Sequence, residues 1–444
     1  MFIDLGDEPL SALVEAQSAG HPTGLYSVCS ANWTVLEASL RHAISGSWPL
    51  LIESTCNQVN QFGGYTGMTP EMFIGRLRGL AQEVGFPMER LLVGGDHLGP
   101  NPWRNEPAGA AMAKARTLVQ ACVRAGYEKI HLDASMPLGD DGPGQPLATE
   151  IAAARAADLA AASEAAYRER GEGRPPCYVI GTEVPVPGGA RDDEELLSVS
   201  DPEGVAETIA VTQEAFAERG LADAWERVIA VVVQPGVEFS DQSLCVYERA
   251  AARPLSAFIE KQPIPLVYEA HSTDYQPEWA LRQLVEDHFA ILKVGPALTF
   301  AFREAMFALE MMEQELAAAG LLDSPSGLRD ALERAMVAEP GHWAGYYDGS
   351  PGGQRLKRHF SFSDRVRYYW PVPGVADAAR RLLDNLEKTP PPFALLSQFL
   401  PRQYARVRGG ELANEPRALL MACVGDVLDD YAYACGYVNR ADLR

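Results

Sequence analysis

Eight short runs of apolar, strand-forming residues alternate with helical segments between Gly24 and Ala297, and this alternation constrains the fold more than any other feature. The runs cover residues 24–30, 49–55, 90–97, 129–135, 177–184, 229–236, 265–272 and 290–297. Most are rich in Val, Ile and Leu without strict alternation, which is typical of parallel strands with both faces buried. The pattern predicts an α/β fold of the (β/α)8 TIM-barrel type.

The rival architecture is a doubly wound α/β sheet. That fold would need a Gly-rich phosphate-binding turn such as G-x-G-x-x-G after an early strand, and the sequence has none. After Ala297 the strand series stops and long helical segments follow. We therefore expect residues 1–300 to form the barrel that carries the site, and residues 301–444 to form a mostly helical extension packed on it.

The charge balance excludes several classes of partner. Asp and Glu total 60 against 38 Lys and Arg, a net charge of -22, which repels nucleic-acid phosphates and anionic lipid. No apolar stretch approaches the roughly 20 residues that span a bilayer. The seven cysteines are scattered without a C-x-x-C pair, as in proteins with reduced thiols. We expect a cytoplasmic protein with no nucleic-acid or membrane partner.

Polar side chains are concentrated where the predicted strands end, which is where barrel enzymes place their chemistry. A single His or Glu there is commonly just a solvated group, but a convergent set suits a divalent metal. Zinc binds two or three imidazoles plus a carboxylate, with manganese or magnesium as alternatives. The strand-end residues are Ser30, Glu53, Asp96, His97, His131, Asp133, Glu183, Gln234, Glu269, His271 and Lys293.

Two further segments have two interpretations each, and a third has one. The loop 57–68, with Asn57 and Gln58, is either an ordinary turn or a set of amides that bind sugar hydroxyls. The segment 360–370 either packs the extension on the barrel or uses Arg365 and Arg367 to capture phosphate. The loop 182–189 after the fifth strand is stiffened by Pro and Gly, and with Glu183 it could hold a ligand.

Several stretches resemble one known family, that of the tagatose-bisphosphate aldolase accessory subunit, whose relatives include D-tagatose 6-phosphate 4-epimerase. They are "GGDHLGPN", "NQFGGYTGM", "GTEVPVPGGA", "QPGVEF", "EAHSTDYQ", "LKVGPALTFA" and "SDRVRYYWP". The resemblance runs from about Gly24 to the C-terminus. It implies a relation to class II aldolases, which are metal-dependent (β/α)8 barrels that bind zinc through three histidines and use an Asp as proton donor.

Carried over by motif, Asp96 matches that proton donor, His97 the first zinc ligand and His271 the last. The sixth strand offers Gln234 where the aldolases have a histidine, so Glu183 or the Gln234 amide is the candidate to complete the shell. The predicted metal ligands are His97, Glu183 and His271, and the predicted catalytic residues are Asp96, Asp133 and Glu183. The predicted substrate-binding residues are Glu53, Asn57, Gln58, Gln234, Ser272, Lys293, Arg365 and Arg367.

The resemblance implies epimerisation at C4 of a ketohexose 6-phosphate, which would interconvert tagatose 6-phosphate and fructose 6-phosphate. In a retro-aldol route, a metal would stabilise the charge that develops as the C3–C4 bond breaks, and Asp96 or Asp133 would move the C4 hydroxyl proton. Deprotonation or hydride shift at C4 is the alternative route. We also expect a homo-oligomer.

Other functions remain open at the level of sequence. The chain could be a non-catalytic partner that stabilises a separate class II aldolase subunit. It could also be an aldolase acting alone on tagatose 1,6-bisphosphate, which would require two phosphate pockets. Some family members are labelled tagatose-6-phosphate kinases, but this sequence lacks a G-x-x-x-x-G-K-[ST] loop.

Overall fold

The computed structural model describes residues 5–6, 8–142, 147–181 and 199–443. Within these ranges the strands are β1 Leu25–Val28, β2 Leu50–Thr55, β3 Leu91–Leu98, β4 Lys129–Leu132, β5 Cys177–Ile180, β6 Val228–Val232, β7 Glu238–Phe239, β8 Leu244–Cys245, β9 Val267–Ala270 and β10 Ile291–Val294. The helices are α1 Pro9–Ser18, α2 Trp33–Gly46, α3 Pro70–Val84, α4 Ala108–Ala125, α5 Thr149–Arg170, α6 Pro202–Glu218, α7 Ala222–Trp225, α8 Arg249–Ile259, α9 Glu278–Glu286, α10 Pro296–Ala318, α11 Leu328–Ala338, α12 Pro351–Phe360, α13 Pro373–Lys388, α14 Phe393–Phe399, α15 Pro401–Arg408 and α16 Pro416–Ala434.

Eight of the strands form a closed parallel barrel in the order β1-β2-β3-β4-β5-β6-β9-β10, which confirms the predicted (β/α)8 fold. The barrel closes where Leu25 pairs with Ile291. Each of these eight barrel strands lies within one of the predicted runs or extends it by one residue. The short strands β7 and β8 form a separate antiparallel pair in the link between the sixth and seventh barrel strands.

Helix α1 closes the N-terminal end of the barrel. Its apolar side chains Leu10, Leu13 and Val14 are buried in one cluster with Leu25 and Leu51 from the first strands. Burying these side chains together favours the closed arrangement, at about 25 cal/mol for each Å² of apolar surface removed from water. Because this end is filled, the polar strand ends at the opposite rim face the accessible mouth of the barrel.

The C-terminal extension completes the helical ring around the barrel. Helix α16 packs against α2, α9 and α10, and it buries Leu419, Leu420, Val424 and Leu428. Residue 300 falls inside α10, so the helix continues across the domain boundary expected from sequence. Among the described residues, no helix combines the length and apolarity that crossing a membrane would require.

The side chain of Asp364 holds part of the extension over the barrel mouth. Its Oδ2 accepts a hydrogen bond from Thr299 Oγ1 at 2.6 Å, and its Oδ1 lies 3.1 Å from Nη1 of the buried Arg303. Both partners lie on α10, directly after the last barrel strand. This connection places the short 3-10 helix Arg365–Tyr368 beside the strand ends.

Candidate metal and substrate site

The end of β3 is shaped so that two neighbouring side chains reach the mouth. The pairing of β3 with β4 shifts register between Gly95 and Leu98, and His97 has a backbone φ of 49°. A bulge of this kind redirects side chains that would otherwise point to opposite faces. A Cβ on Gly99 would lie 1.6 Å from the Asp133 carbonyl oxygen, so only glycine permits this close approach of the two strands.

Four buried side chains from three strands form a group of potential metal donors: Asp96 from β3, His131 from β4, and Glu269 and His271 at the end of β9. One donor atom from each lies within 4.8 Å of the others. Nδ1 of His131 is 3.1 Å from Oδ1 of Asp96, and Nε2 of His271 is 2.9 Å from Oε1 of Glu269. We call these four residues the donor group.

Three imidazole rings meet at this point. The ring centroids of His97 and His131 are 5.1 Å apart, those of His97 and His271 are 4.9 Å apart, and those of His131 and His271 are 5.2 Å apart. Nδ1 of His97 is bonded to Asp133 Oδ2 at 2.8 Å. The third imidazole beside His97 and His271 therefore comes from β4.

The pKa shifts of three donor-group residues suit a cation. Burial lowers the pKa of His271 to about 4, so its imidazole is neutral at pH 7. Burial alone would raise the pKa of Asp96, but the charges of His97 and Lys293 hold it well below its ordinary value. Burial likewise opposes ionisation of Glu269, yet Lys129 and Lys293 keep its pKa well below the usual range.

One atom of the donor group is left without a partner. The buried Nε2 of His131 has no hydrogen-bond partner among the described residues, and such a buried polar atom ordinarily requires one. Neutral imidazoles and ionised carboxylates are the ligands that zinc takes in proteins. The residues present therefore fit a divalent metal ion.

Two buried lysines lie beneath and beside the donor group. Lys129 contacts Glu53 Oε1 at 2.8 Å and Glu269 Oε2 at 2.6 Å, and all three side chains are fully buried. Lys293 contacts Glu53 Oε2 and lies 3.0 Å from Asp96 Oδ1. Glu53, predicted to bind substrate, thus joins the two ammonium groups inside the barrel.

A cavity of about 950 Å³ opens above the donor group and is lined by both the barrel and the extension. It brings together most of the predicted residues: Asp96, His97, Asp133, His271, Ser272 and Lys293 from the strand ends, Asn57 and Gln58 from the β2 loop, and Arg365 and Arg367 from the extension. Ser272 has a φ of 54°, a strained conformation like that of His97.

Gln234, predicted to bind substrate, does not line this cavity. The side-chain oxygen of Gln234 accepts hydrogen bonds from the backbone N–H groups of Gly236 and Val237, at 2.8 and 3.0 Å. This local turn is away from the cavity lining that the described residues form. Glu183 and the loop 182–189 fall outside the described residues, so the predicted roles of Gln234 and Glu183 stay predictions.

The two arginines of the extension differ in how they are engaged. Arg367 donates through Nη1 to the carbonyl oxygen of Asp364 at 3.0 Å and through Nη2 to Tyr368 Oη at 3.0 Å. Arg365 is only 4% exposed, and its Nε and Nη2 make no hydrogen bond within the described part of the chain. Arg365 therefore has two buried donors without a hydrogen-bond partner in the described ranges, and its side chain lines the cavity.

A family model described as "D-tagatose-1,6-bisphosphate aldolase subunit GatZ/KbaZ-like" matches residues 10–436. The chain belongs to the GatZ/KbaZ-like family. A crystal structure titled as a probable tagatose 6 phosphate kinase from Sinorhizobium meliloti 1021 is 47% identical, with a TM-score of 0.84, covering 93% of this chain and all of that one.

Solved aldolases also match this GatZ/KbaZ-like chain at low identity. The YdjI aldolase from Escherichia coli K12 is 11% identical with a TM-score of 0.38, covering 84% of this chain and 93% of that one. The fructose-bisphosphate aldolase from Campylobacter jejuni is 13% identical with a TM-score of 0.41, covering 89% of this chain and 94% of that one.

His131 and Glu269 lie at predicted strand ends of the GatZ/KbaZ-like chain, but they are not among the metal ligands predicted from its sequence. The two-residue spacing could have indicated them, because His131 and Asp133 share one face of a strand, as do Glu269 and His271. The ligands predicted by motif were His97, Glu183 and His271, of which His271 belongs to the donor group.

Proposed function

We propose that the chain is a metal-dependent sugar-phosphate 4-epimerase that interconverts D-tagatose 6-phosphate and D-fructose 6-phosphate. The observation that carries this proposal is the joint lining of one cavity by the donor-group residues Asp96 and His271 and by Arg365. A ketohexose phosphate needs a site for its hydroxyl and carbonyl oxygens and a cation for its phosphate.

The donor group would hold the metal, and a bound divalent ion would supply the Lewis acidity that stabilises negative charge on substrate oxygens. Asp96 is ionised, and it accepts the C4 hydroxyl proton as the C3–C4 bond breaks. After the aldehyde fragment turns over, Asp96 returns the proton when the bond re-forms on the other face. Asp133 holds His97 through the 2.8 Å bond to Nδ1 and keeps that ring in position beside Asp96.

The phosphate end of the substrate is assigned to Arg365. Its guanidinium stacks over the Tyr346 ring, with Cζ 3.1 Å from the ring centroid, and this contact fixes the plane of the guanidinium. A planar guanidinium with free Nε and Nη2 donors suits two-point binding of a phosphate. Arg367 positions this segment through its bonds to the backbone of the same turn.

The name of the Sinorhizobium meliloti protein indicates a tagatose-6-phosphate substrate, which supports the choice of sugar. Phosphoryl transfer is disfavoured because the sequence has no G-x-x-x-x-G-K-[ST] loop to bind a nucleotide. The family description instead favours a second candidate, a non-catalytic partner of a class II tagatose-bisphosphate aldolase. That candidate predicts a stable complex with the aldolase and no turnover by the purified chain.

The test is to incubate the purified, metal-loaded chain with tagatose 6-phosphate and to follow fructose 6-phosphate by ¹³C NMR. We expect conversion toward an equilibrium mixture, and loss of conversion when EDTA removes the metal. A chain that retains bound metal yet converts no substrate, and that co-purifies with a co-expressed class II aldolase, would contradict the epimerase and favour the accessory role.

A further inference from the structure

The Lys293 ammonium lies close to two carboxylate oxygens of the donor group, one on Asp96 and one on Glu269. Its Nζ lies 3.0 Å from Oδ1 of Asp96 and 3.6 Å from Oε1 of Glu269. The same Asp96 oxygen is 3.1 Å from Nδ1 of His131, and the same Glu269 oxygen is 2.9 Å from Nε2 of His271. The two histidine nitrogens of the donor group therefore lie next to the same two carboxylate oxygens that the Lys293 ammonium contacts.

We infer that the Lys293 ammonium is a built-in cation of the donor group, and that a divalent metal binds in competition with it. A metal ion that uses Asp96 and Glu269 as ligands must share one or both of these oxygens with an ammonium. Two cations on the same carboxylate oxygen repel strongly inside a protein, where screening by water is weak. Metal binding then requires Lys293 to move away from Asp96 and Glu269.

The surrounding charges support competition. Glu53, Asp96 and Glu269 supply three carboxylates, and Lys129 and Lys293 supply two ammonium groups, so this buried cluster is left with a single negative charge. A divalent ion would overcompensate that charge. Without the Lys293 ammonium, the same ion would neutralise the cluster.

The two lysines differ in their access to the cavity. Lys129 is fully buried between Glu53 and Glu269 and has no part in the cavity lining that the described residues form. Lys293 lines the cavity, so the proposed displacement would turn its ammonium toward the cavity, with Glu53 as its remaining partner. The displaced ammonium would then face the substrate, so this inference rests on the metal site of the proposed function and adds a second cation to it.

The experiment measures Mn²⁺ binding to EDTA-stripped protein by isothermal titration calorimetry. We expect Lys293→Met to bind Mn²⁺ at least about tenfold more tightly than the wild type. The matched control is Lys114→Met, which removes a lysine paired with Glu106 on the surface and should bind as the wild type does. Equal or weaker binding by Lys293→Met would overturn the inference, as would absence of binding in all three proteins.

Two further measurements keep the test decisive if Lys293→Met folds poorly. Lys293→Gln should show the same gain in affinity. In the wild type, acylation of amines followed by mass spectrometry should label Lys293 more in the presence of Mn²⁺, with Lys129 protected throughout. Unchanged labelling of Lys293 would contradict displacement. None of these readouts uses turnover, so a failure of the proposed reaction would be seen separately.

Discussion

Nδ1 of His97 and Oδ2 of Asp133 lie 2.8 Å apart and both side chains are buried, so the pair forms a charged hydrogen bond beside the donor group. Although burial opposes both charges, the bond to His97 lowers the pKa of Asp133 to about 2, and Asp96 and Asp133 raise the pKa of His97 above its ordinary value. Asp133 is therefore a carboxylate at neutral pH, and its charge favours the protonated form of His97.

Replacing Asp133 with Asn should lower the pKa of His97, because the imidazolium loses its nearest anion. Removal of an adjacent opposite charge typically shifts a pKa by about 1–3 units. The measurement is an NMR titration of the imidazole resonances in EDTA. The control is Asp429→Asn, which removes the partner of His42. A His97 titration unchanged by Asp133→Asn would show that the pair does not exist in solution.

Asp96→Asn should lower epimerase turnover by about 10²–10⁴-fold, the usual cost of losing an acid–base group. The assay is formation of fructose 6-phosphate from tagatose 6-phosphate, with the metal content of each sample measured alongside it. Because Asp96 also belongs to the donor group, metal content separates loss of proton transfer from loss of the ion. Full turnover by Asp96→Asn would refute the acid–base role.

Arg365→Met should lower kcat/KM for tagatose 6-phosphate by about 10- to 100-fold, since charge-assisted hydrogen bonds to a buried anion contribute about 1.5–3 kcal/mol. The same variant should act on unphosphorylated tagatose as well as the wild type does, because that sugar has no phosphate for Arg365 to bind. Arg365→Lys should recover part of the loss. An equal fall for both sugars would contradict phosphate binding by this side chain.

The raised pKa of the buried Asp274 leads us to expect that the stability of the fold depends on pH. Its buried carboxylate accepts hydrogen bonds from the backbone N–H groups of Gly295 and Ala297, at 3.0 and 2.8 Å, at the start of α10. Burial raises its pKa from 3.8 to about 6. The folded state therefore binds this proton more tightly than the unfolded state does. The resulting contribution to the free energy of unfolding is complete below pH 3.8 and is lost as pH rises through about 6.

Urea unfolding at a series of pH values should show that loss, up to about 3 kcal/mol between pH 4 and 6. Asp274→Asn keeps an acceptor oxygen but cannot ionise, so its free energy of unfolding should be flatter across this range. The same slope in both proteins would mean that another group is responsible.

Much of the fold follows from local sequence. The eight strands were predicted because each is a short apolar run bounded by turn residues, and the runs match the barrel strands. Asp96, His97, Asp133, His271 and Lys293 were expected to share a site because the carboxyl ends of parallel barrel strands meet at one rim, and they line one cavity.

The rest depends on contacts between distant segments, which periodicity does not encode. The bulge that turns His97 into the mouth depends on the approach of Gly99 to the Asp133 backbone. Lys129 begins the fourth predicted strand, and its sequence position gives no indication that it is buried between Glu53 and Glu269. Arg365 lies at the cavity because the preceding residue, Asp364, is held by its partners on α10.

The most direct test of the metal-dependent site is a crystal structure of the chain soaked with Mn²⁺, with anomalous data collected to locate the ion. We expect one anomalous peak in the barrel mouth, within about 2.0–2.3 Å of atoms of Asp96, His131, Glu269 and His271, with the Lys293 ammonium displaced from Asp96. A mouth with no peak, or a peak bound by other residues while these four stay apart, would contradict this expectation.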